Sequence, residues 1–168
     1  MPDVAADVLA ELEARGLKLA LAESLTGGLL ADAFISVPGA SKVVLGSIVA
    51  YHSLLKSSLV GVSRTLIENE GAVNAEVAAQ LAQGIRVRLA DGCGLDGERV
   101  LGISATGVAG PDSQDGQMPG VVFIGLAGTK NAVDDIRVVA VNLEGSRDEI
   151  RRAAVSEAIR ALVEFLAD

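Results

Sequence analysis

The sequence predicts an α/β fold: three layers, α/β/α, around a mixed, mostly parallel sheet with a C-terminal antiparallel hairpin. Three observations carry this. Short apolar runs alternate with stretches of helical periodicity through the first two-thirds of the chain. Two further apolar runs, 120–127 and 135–142, follow one another with no helical pattern between them. A last amphipathic stretch closes the chain. The 168 residues suit a single domain, 1–168, and show neither internal repeat nor linker.

Val4, Val8, Leu9 and Leu12 fall at helical spacing over 4–14, and Gly16 stops that helix. Residues 17–22 read as a short strand and 27–36 as a helix closed by Pro38-Gly39. Residues 43–51 form a buried strand ending at Tyr51, and a short helix from Ser53 carries Lys56. Ser63 and Asn74 are N-caps, of a helix ending at Gly71 and of a longer one through Leu89. A strand spans 99–104, and 106–120 is the longest loop, of a length that often carries function. The hairpin turns through Gly128-Thr129-Lys130-Asn131. Ser146 with Glu149 makes a capping box, and Ile150, Ala154, Ile159, Leu162 and Leu166 form the apolar face of the last helix.

Composition excludes several functions. Aromatics are only 2% of the chain, so the core must be aliphatic. A net charge of −8 argues against nucleic-acid binding, which needs a concentrated basic face. One cysteine and one histidine leave no internal disulfide and too few ligands for a zinc site, so no metal is expected. Cys93 reads as a small buried or loop thiol. No run is long enough to span a membrane, and Met1-Pro2-Asp3 lacks the basic start of a signal peptide. A cytoplasmic protein is expected.

Four segments can carry chemistry. Ala22-Glu23-Ser24-Leu25-Thr26-Gly27-Gly28 joins a strand to a helix. Free N–H groups there suit a phosphate or an oxyanion, although Ser and Thr at such a place are also ordinary caps. Tyr51-His52-Ser53-Leu54-Leu55-Lys56 leaves another strand end. A lysine is usually solvated, but Leu54, Leu55 and Leu59 offer an apolar wall that can lower its pKa and make it a base. The glycines of Thr106-Gly107-Val108-Ala109-Gly110-Pro111-Asp112 can wrap an anion, though the run matches neither a Walker A loop nor a dinucleotide fingerprint. Gly145-Ser146-Arg147 opens the last helix, where Arg147 is either a phosphate clamp or simply exposed.

Together and in this order, the segments resemble the CinA C-terminal domain family, which includes nicotinamide mononucleotide amidases. Ala-Glu-Ser-x-Thr-Gly-Gly is met at 22–28, Tyr-x-x-x-x-Lys at Tyr51 and Lys56, Gly-x-Ala-Gly-Pro-Asp at 107–112, and Gly-x-Arg-x-x-x-Arg from Gly145 to Arg151. The chain departs from the family pattern at His52, Leu54, Leu55, Ser113 and Gln114. The resemblance implies metal- and cofactor-free hydrolysis of nicotinamide mononucleotide to nicotinate mononucleotide and ammonia. Ser24 is then the nucleophile, Lys56 the base and Tyr51 a third member. Thr26, Gly27, Gly28, Thr106, Gly107, Gly110 and Arg147 are the substrate-binding candidates. The resemblance is to the stand-alone form of the domain, for which a homodimer is compatible. Two other readings stay open: a nucleotide-binding module without catalysis, and an amidase for a different small amide.

Overall fold

The structure, a computed structural model, describes residues 2–167, with side chains from Val4 onward. Its elements in chain order are α1 (Pro2–Ala14), β1 (Lys18–Glu23), α2 (Leu29–Ile35), β2 (Val44–Val49), α3 (Ser53–Val60), α4 (Arg64–Glu70), α5 (Ala75–Cys93), β3 (Val100–Gly107), β4 (Val121–Lys130), β5 (Val133–Asn142) and α6 (Arg147–Ala167). Short 3₁₀ turns at Ala40–Lys42 and Gly97–Arg99 lead into β2 and β3.

The five strands lie in the order β2-β1-β3-β4-β5. β1 pairs in parallel with β2 and β3, while β3–β4 and β4–β5 are antiparallel. Only β4 therefore runs against the other four. The chain leaves β1 towards β2 on one side, then returns past it to β3 on the other. In α/β sheets such a reversal opens a crevice at the C-terminal strand ends.

Helices cover both faces. On one, Leu9 and Leu12 of α1, Leu30 and Phe34 of α2, and Ile159 and Leu162 of α6 pack on Leu19, Leu21, Ile103 and Ile124. On the other, Val77, Leu81 and Ile85 of α5 and Val60 of α3 pack on Ala20 and Ala22. The core is aliphatic, as the composition requires, with Phe34 its one fully buried ring. α5 seats closely because the sheet is bare beneath it: a Cβ on Gly102 would lie 2.0 Å from Ala82 O, and one on Gly125 2.1 Å from Ala78 O.

Several sequence expectations need correction. β2 is a half-buried edge strand, and it ends two residues before Tyr51. α5 runs four residues past Leu89 to Cys93, whose thiol is exposed. β3 continues through Thr106 and Gly107, which are strand rather than loop. The hairpin turns at Asn131-Ala132 (φ 53° and 61°), while Gly128, Thr129 and Lys130 belong to β4. Positive φ at both central residues matches the twist of the flanking strands.

Candidate active site

β1 and β2 end level, with Glu23 paired to Val49. Two backbone bonds extend that order: Ser24 N–H donates to Ala105 O (3.0 Å) and Ala50 N–H to Glu23 O (2.8 Å). Ser24 is therefore fixed beside the segment that begins α3. One turn into that helix, Lys56 points inward on the same face as Val60. Its Nζ lies 2.8 Å from Ser24 Oγ and donates to Ala50 O at 2.9 Å. Lys56 is only 2% exposed and Ser24 8%. Burial lowers the Lys56 pKa to about 8, against the opposing pull of the Asp115 carboxylate. The expected apolar wall is not the cause, because Leu54, Leu55 and Leu59 are all exposed. His52 serves as the N-cap of α3, its Nδ1 accepting from Leu54 N–H at 3.2 Å.

The helix end after Ser24 is not open to a ligand. The buried Glu23 carboxylate accepts from Gly28 N–H (2.9 Å), Leu30 N–H (3.0 Å) and Ala31 N–H (3.0 Å), and from Ser47 Oγ (2.9 Å). An anion already occupies that terminus. The expectation that α2 itself holds an oxyanion is thereby corrected. In the turn before α2, Gly27 N–H donates to Ser24 O and Leu29 N–H to Thr26 O. Arg151 of α6 donates through Nε to Leu25 O (2.8 Å) and through Nη2 to Thr26 O (2.9 Å). Among the described residues, the Leu25 and Thr26 N–H groups have no protein partner.

A cleft of about 570 Å³ opens above Ser24, within the usual range for small-molecule sites. Leu25, Tyr51, His52, Gly107, Gly110 and Arg147 help to line it. Arg147 Nη2 donates to Tyr51 Oη at 3.0 Å, and its Nη1 donates to Gly110 O. This cation thus ties the loop after β3 to the segment after β2. The loop is pinned at its far end too, where Asp115 Oδ2 accepts from Ala72 N–H at 2.7 Å.

The expected residues fall into two groups. Ser24, Tyr51, Gly107, Gly110 and Arg147 line the cleft, and Lys56 sits directly beneath Ser24. Tyr51 is 62% exposed and bonds Arg147, not Ser24 or Lys56. Thr106 lies outside the cleft, fully buried, with its hydroxyl donating to Ala72 O at 2.9 Å. Thr26 is also fully buried, and its hydroxyl has no partner among the described residues. Gly27 and Gly28 shape the turn, with φ of 59° and 98°, and stand outside the cleft lining. Reasoning from sequence gave no role to Glu23, Asp115 or Arg151. Glu23 stands just before a helix start and Arg151 closes the Gly-x-Arg-x-x-x-Arg element, whereas Asp115 carried no local signal. Among the described residues, no group of three or more His, Cys, Asp and Glu side chains could hold a metal, and no helix is long and apolar enough to cross a membrane.

The fold and site define a three-layer α/β protein with a buried serine–lysine pair at the C-terminal ends of parallel strands. The model of the CinA C-terminal domain matches residues 2–166, and the chain belongs to that family. A CinA-like protein of Frankia casuarinae is 41% identical over 160 residues, 95% of this chain and 34% of the relative. The chain thus spans about a third of the length of that curated relative. The competence/damage inducible protein CihA from Agrobacterium tumefaciens superposes with a TM-score of 0.86 at 28% identity, covering 99% of this chain and 95% of that one. A CinA superfamily protein from Klebsiella pneumoniae superposes at 0.83 with 25% identity, covering 99% and 97%.

Proposed function

We propose that the chain is a metal-independent amidase that hydrolyses the carboxamide of nicotinamide mononucleotide, giving nicotinate mononucleotide and ammonia. The observation that carries the reading is the 2.8 Å contact between Lys56 Nζ and Ser24 Oγ, with the amine buried and its pKa lowered. A neutral Lys56 can donate to Ala50 O while its lone pair faces the serine hydroxyl.

As Ser24 Oγ attacks the carboxamide carbon, its proton passes to Lys56. The free N–H group of Leu25, a residue of the cleft lining, takes the oxyanion, in place of the occupied α2 terminus. Collapse of the tetrahedral intermediate breaks the C–N bond, and the Lys56 ammonium protonates the departing nitrogen. Water then cleaves the acyl-serine ester, with Lys56 again taking a proton. Arg147 gives the cleft mouth a positive charge suited to the nucleotide phosphate, and its planar fork has donors beyond the two it uses. Tyr51 orients Arg147 rather than moving the serine proton.

A pure binding module fits less well. A lysine meant to pair with phosphate gains nothing from burial beneath a serine, where its charged form is disfavoured. Incubation with nicotinamide mononucleotide should release ammonia and nicotinate mononucleotide in equal amounts. Ser24→Ala should lower kcat by about 10⁴-fold or more while the nucleotide still binds. Wild-type-like turnover by that variant would remove Ser24 from the nucleophile's role.

A further inference from the structure

We propose that Arg151 is a positioning residue whose guanidinium, held behind the Ser24–Gly27 turn, sets the Leu25 N–H group that stabilises the oxyanion. The proposal rests on the amide-hydrolysis reading above. Arg151 belongs to α6, more than 120 residues further along the chain, which packs on the sheet face opposite α3, the helix that carries Lys56.

Three consecutive peptide planes carry the argument. The only cis peptide bond among the described residues is Gly110-Pro111, so these three are trans, and each C=O points opposite to the next N–H. In the first plane, Ser24 O accepts from Gly27 N–H, which leaves Leu25 N–H on the other side. In the second, Arg151 Nε holds Leu25 O, which turns Thr26 N–H away from α6. In the third, Arg151 Nη2 and Leu29 N–H hold Thr26 O, which aims Gly27 N–H back at Ser24 O. One planar fork therefore fixes the second and third planes directly and the first through Gly27.

Two further observations agree. The Glu23 carboxylate occupies the first turn of α2 and Thr26 is fully buried, so the Leu25 N–H is the donor of this turn that remains at the cleft. Gly27 has φ 59°, and a Cβ there would lie 3.1 Å from Arg151 Nη2. The turn and the guanidinium fit each other closely. A cation bonded to Thr26 O also polarises that peptide unit, which strengthens the Gly27 N–H bond to Ser24 O. Lysine would not replace it, because a point charge cannot span both carbonyls in one plane.

Arg151→Met and Arg151→Lys, made in the full chain, test this. Four quantities are read: the denaturant midpoint, kcat and KM for nicotinamide mononucleotide, and the rate of Ser24 labelling by a fluorophosphonate. In labelling, the Oγ–P bond forms, the P–F bond breaks, fluoride leaves, and the serine proton passes to Lys56. Charge gathers on the phosphoryl oxygen, so this reaction needs the same donor. Arg151→Met should lower both kcat and the labelling rate about 10²-fold with KM within about threefold, and Arg151→Lys should fall about tenfold. Rates within about twofold of wild type, or a loss confined to KM, would overturn the proposal. Should Arg151→Met fail to fold, the kcat of Arg151→Lys decides in the same way. Wild-type labelling without ammonia release defeats the substrate reading and leaves the labelling rates to judge Arg151. A wild type that neither labels nor turns over overturns both.

Discussion

A serine hydroxyl is a weak nucleophile at neutral pH, so in the proposed reaction Ser24 depends on the protonation of one amine. Lys56 titrates at about 8, which leaves roughly a tenth of it neutral at pH 7. Activity should therefore rise with pH through about 8 and then level off. Asp115 opposes this by favouring the ammonium form. Asp115→Asn keeps an oxygen for Ala72 N–H but removes the charge, so the midpoint of the kcat/KM profile should move to lower pH. An unmoved midpoint would contradict the assignment of Lys56 as base. Stability follows the same group with its own sign. Between about 8 and 10.5 the folded chain has released a proton that the unfolded chain still binds, so stability should rise with pH across that window. Lys56→Met should be inactive yet more stable at pH 7, by about 3 kcal/mol at most, as read from urea unfolding. Ser24 and Lys56 stood out because both follow strand ends, but their roles came from the family motifs, since position alone reads Ser24 as a helix cap and Lys56 as a solvated side chain. Asp115 was not legible, and Arg151 only as the end of a motif with no role, since their partners lie 43 and 126 residues away.

At the scale of the element, the caps were the most legible features. Ser63, Asn74 and Ser146 each bond within the first turn of their helices, because a cap needs only near neighbours. Glycines misled where they mark close packing instead of turns. Gly128 reads as a hairpin residue, yet it sits in β4 because a Cβ there would meet Leu101 at 2.6 Å and the Phe165 ring at 3.1 Å. Gly107 reads as loop, yet it ends β3 with Val121 O 2.6 Å from where its Cβ would lie. The true hairpin turn holds Ala132 at φ 61°, a left-handed conformation that a β-carbon disfavours. Ala132→Gly should therefore stabilise the protein by about 1 kcal/mol, seen as a raised thermal midpoint with unchanged activity. A lowered midpoint would show that the turn draws no strain from Ala132.

At the scale of the whole molecule, alternation of apolar runs and helical stretches was enough to foresee three layers, and two successive strands were enough to foresee the hairpin. The strand order was less accessible, because placing β3 on the far side of β1 from β2 depends on packing and not on local pattern. That order matters for function. It sets Ser24 beside Ala105 on one flank and the Ala50 segment on the other, so Ser24 and Lys56 meet at the C-terminal edge of the sheet. The central claim is that this meeting makes Ser24 a covalent nucleophile. The most direct measurement is mass spectrometry of the chain, acid-quenched during turnover of nicotinamide mononucleotide. The account predicts an adduct of the nicotinate mononucleotide acyl group on the peptide containing Ser24, absent in Ser24→Ala. Turnover that proceeds with no adduct, and at an equal rate in Ser24→Ala, would contradict it.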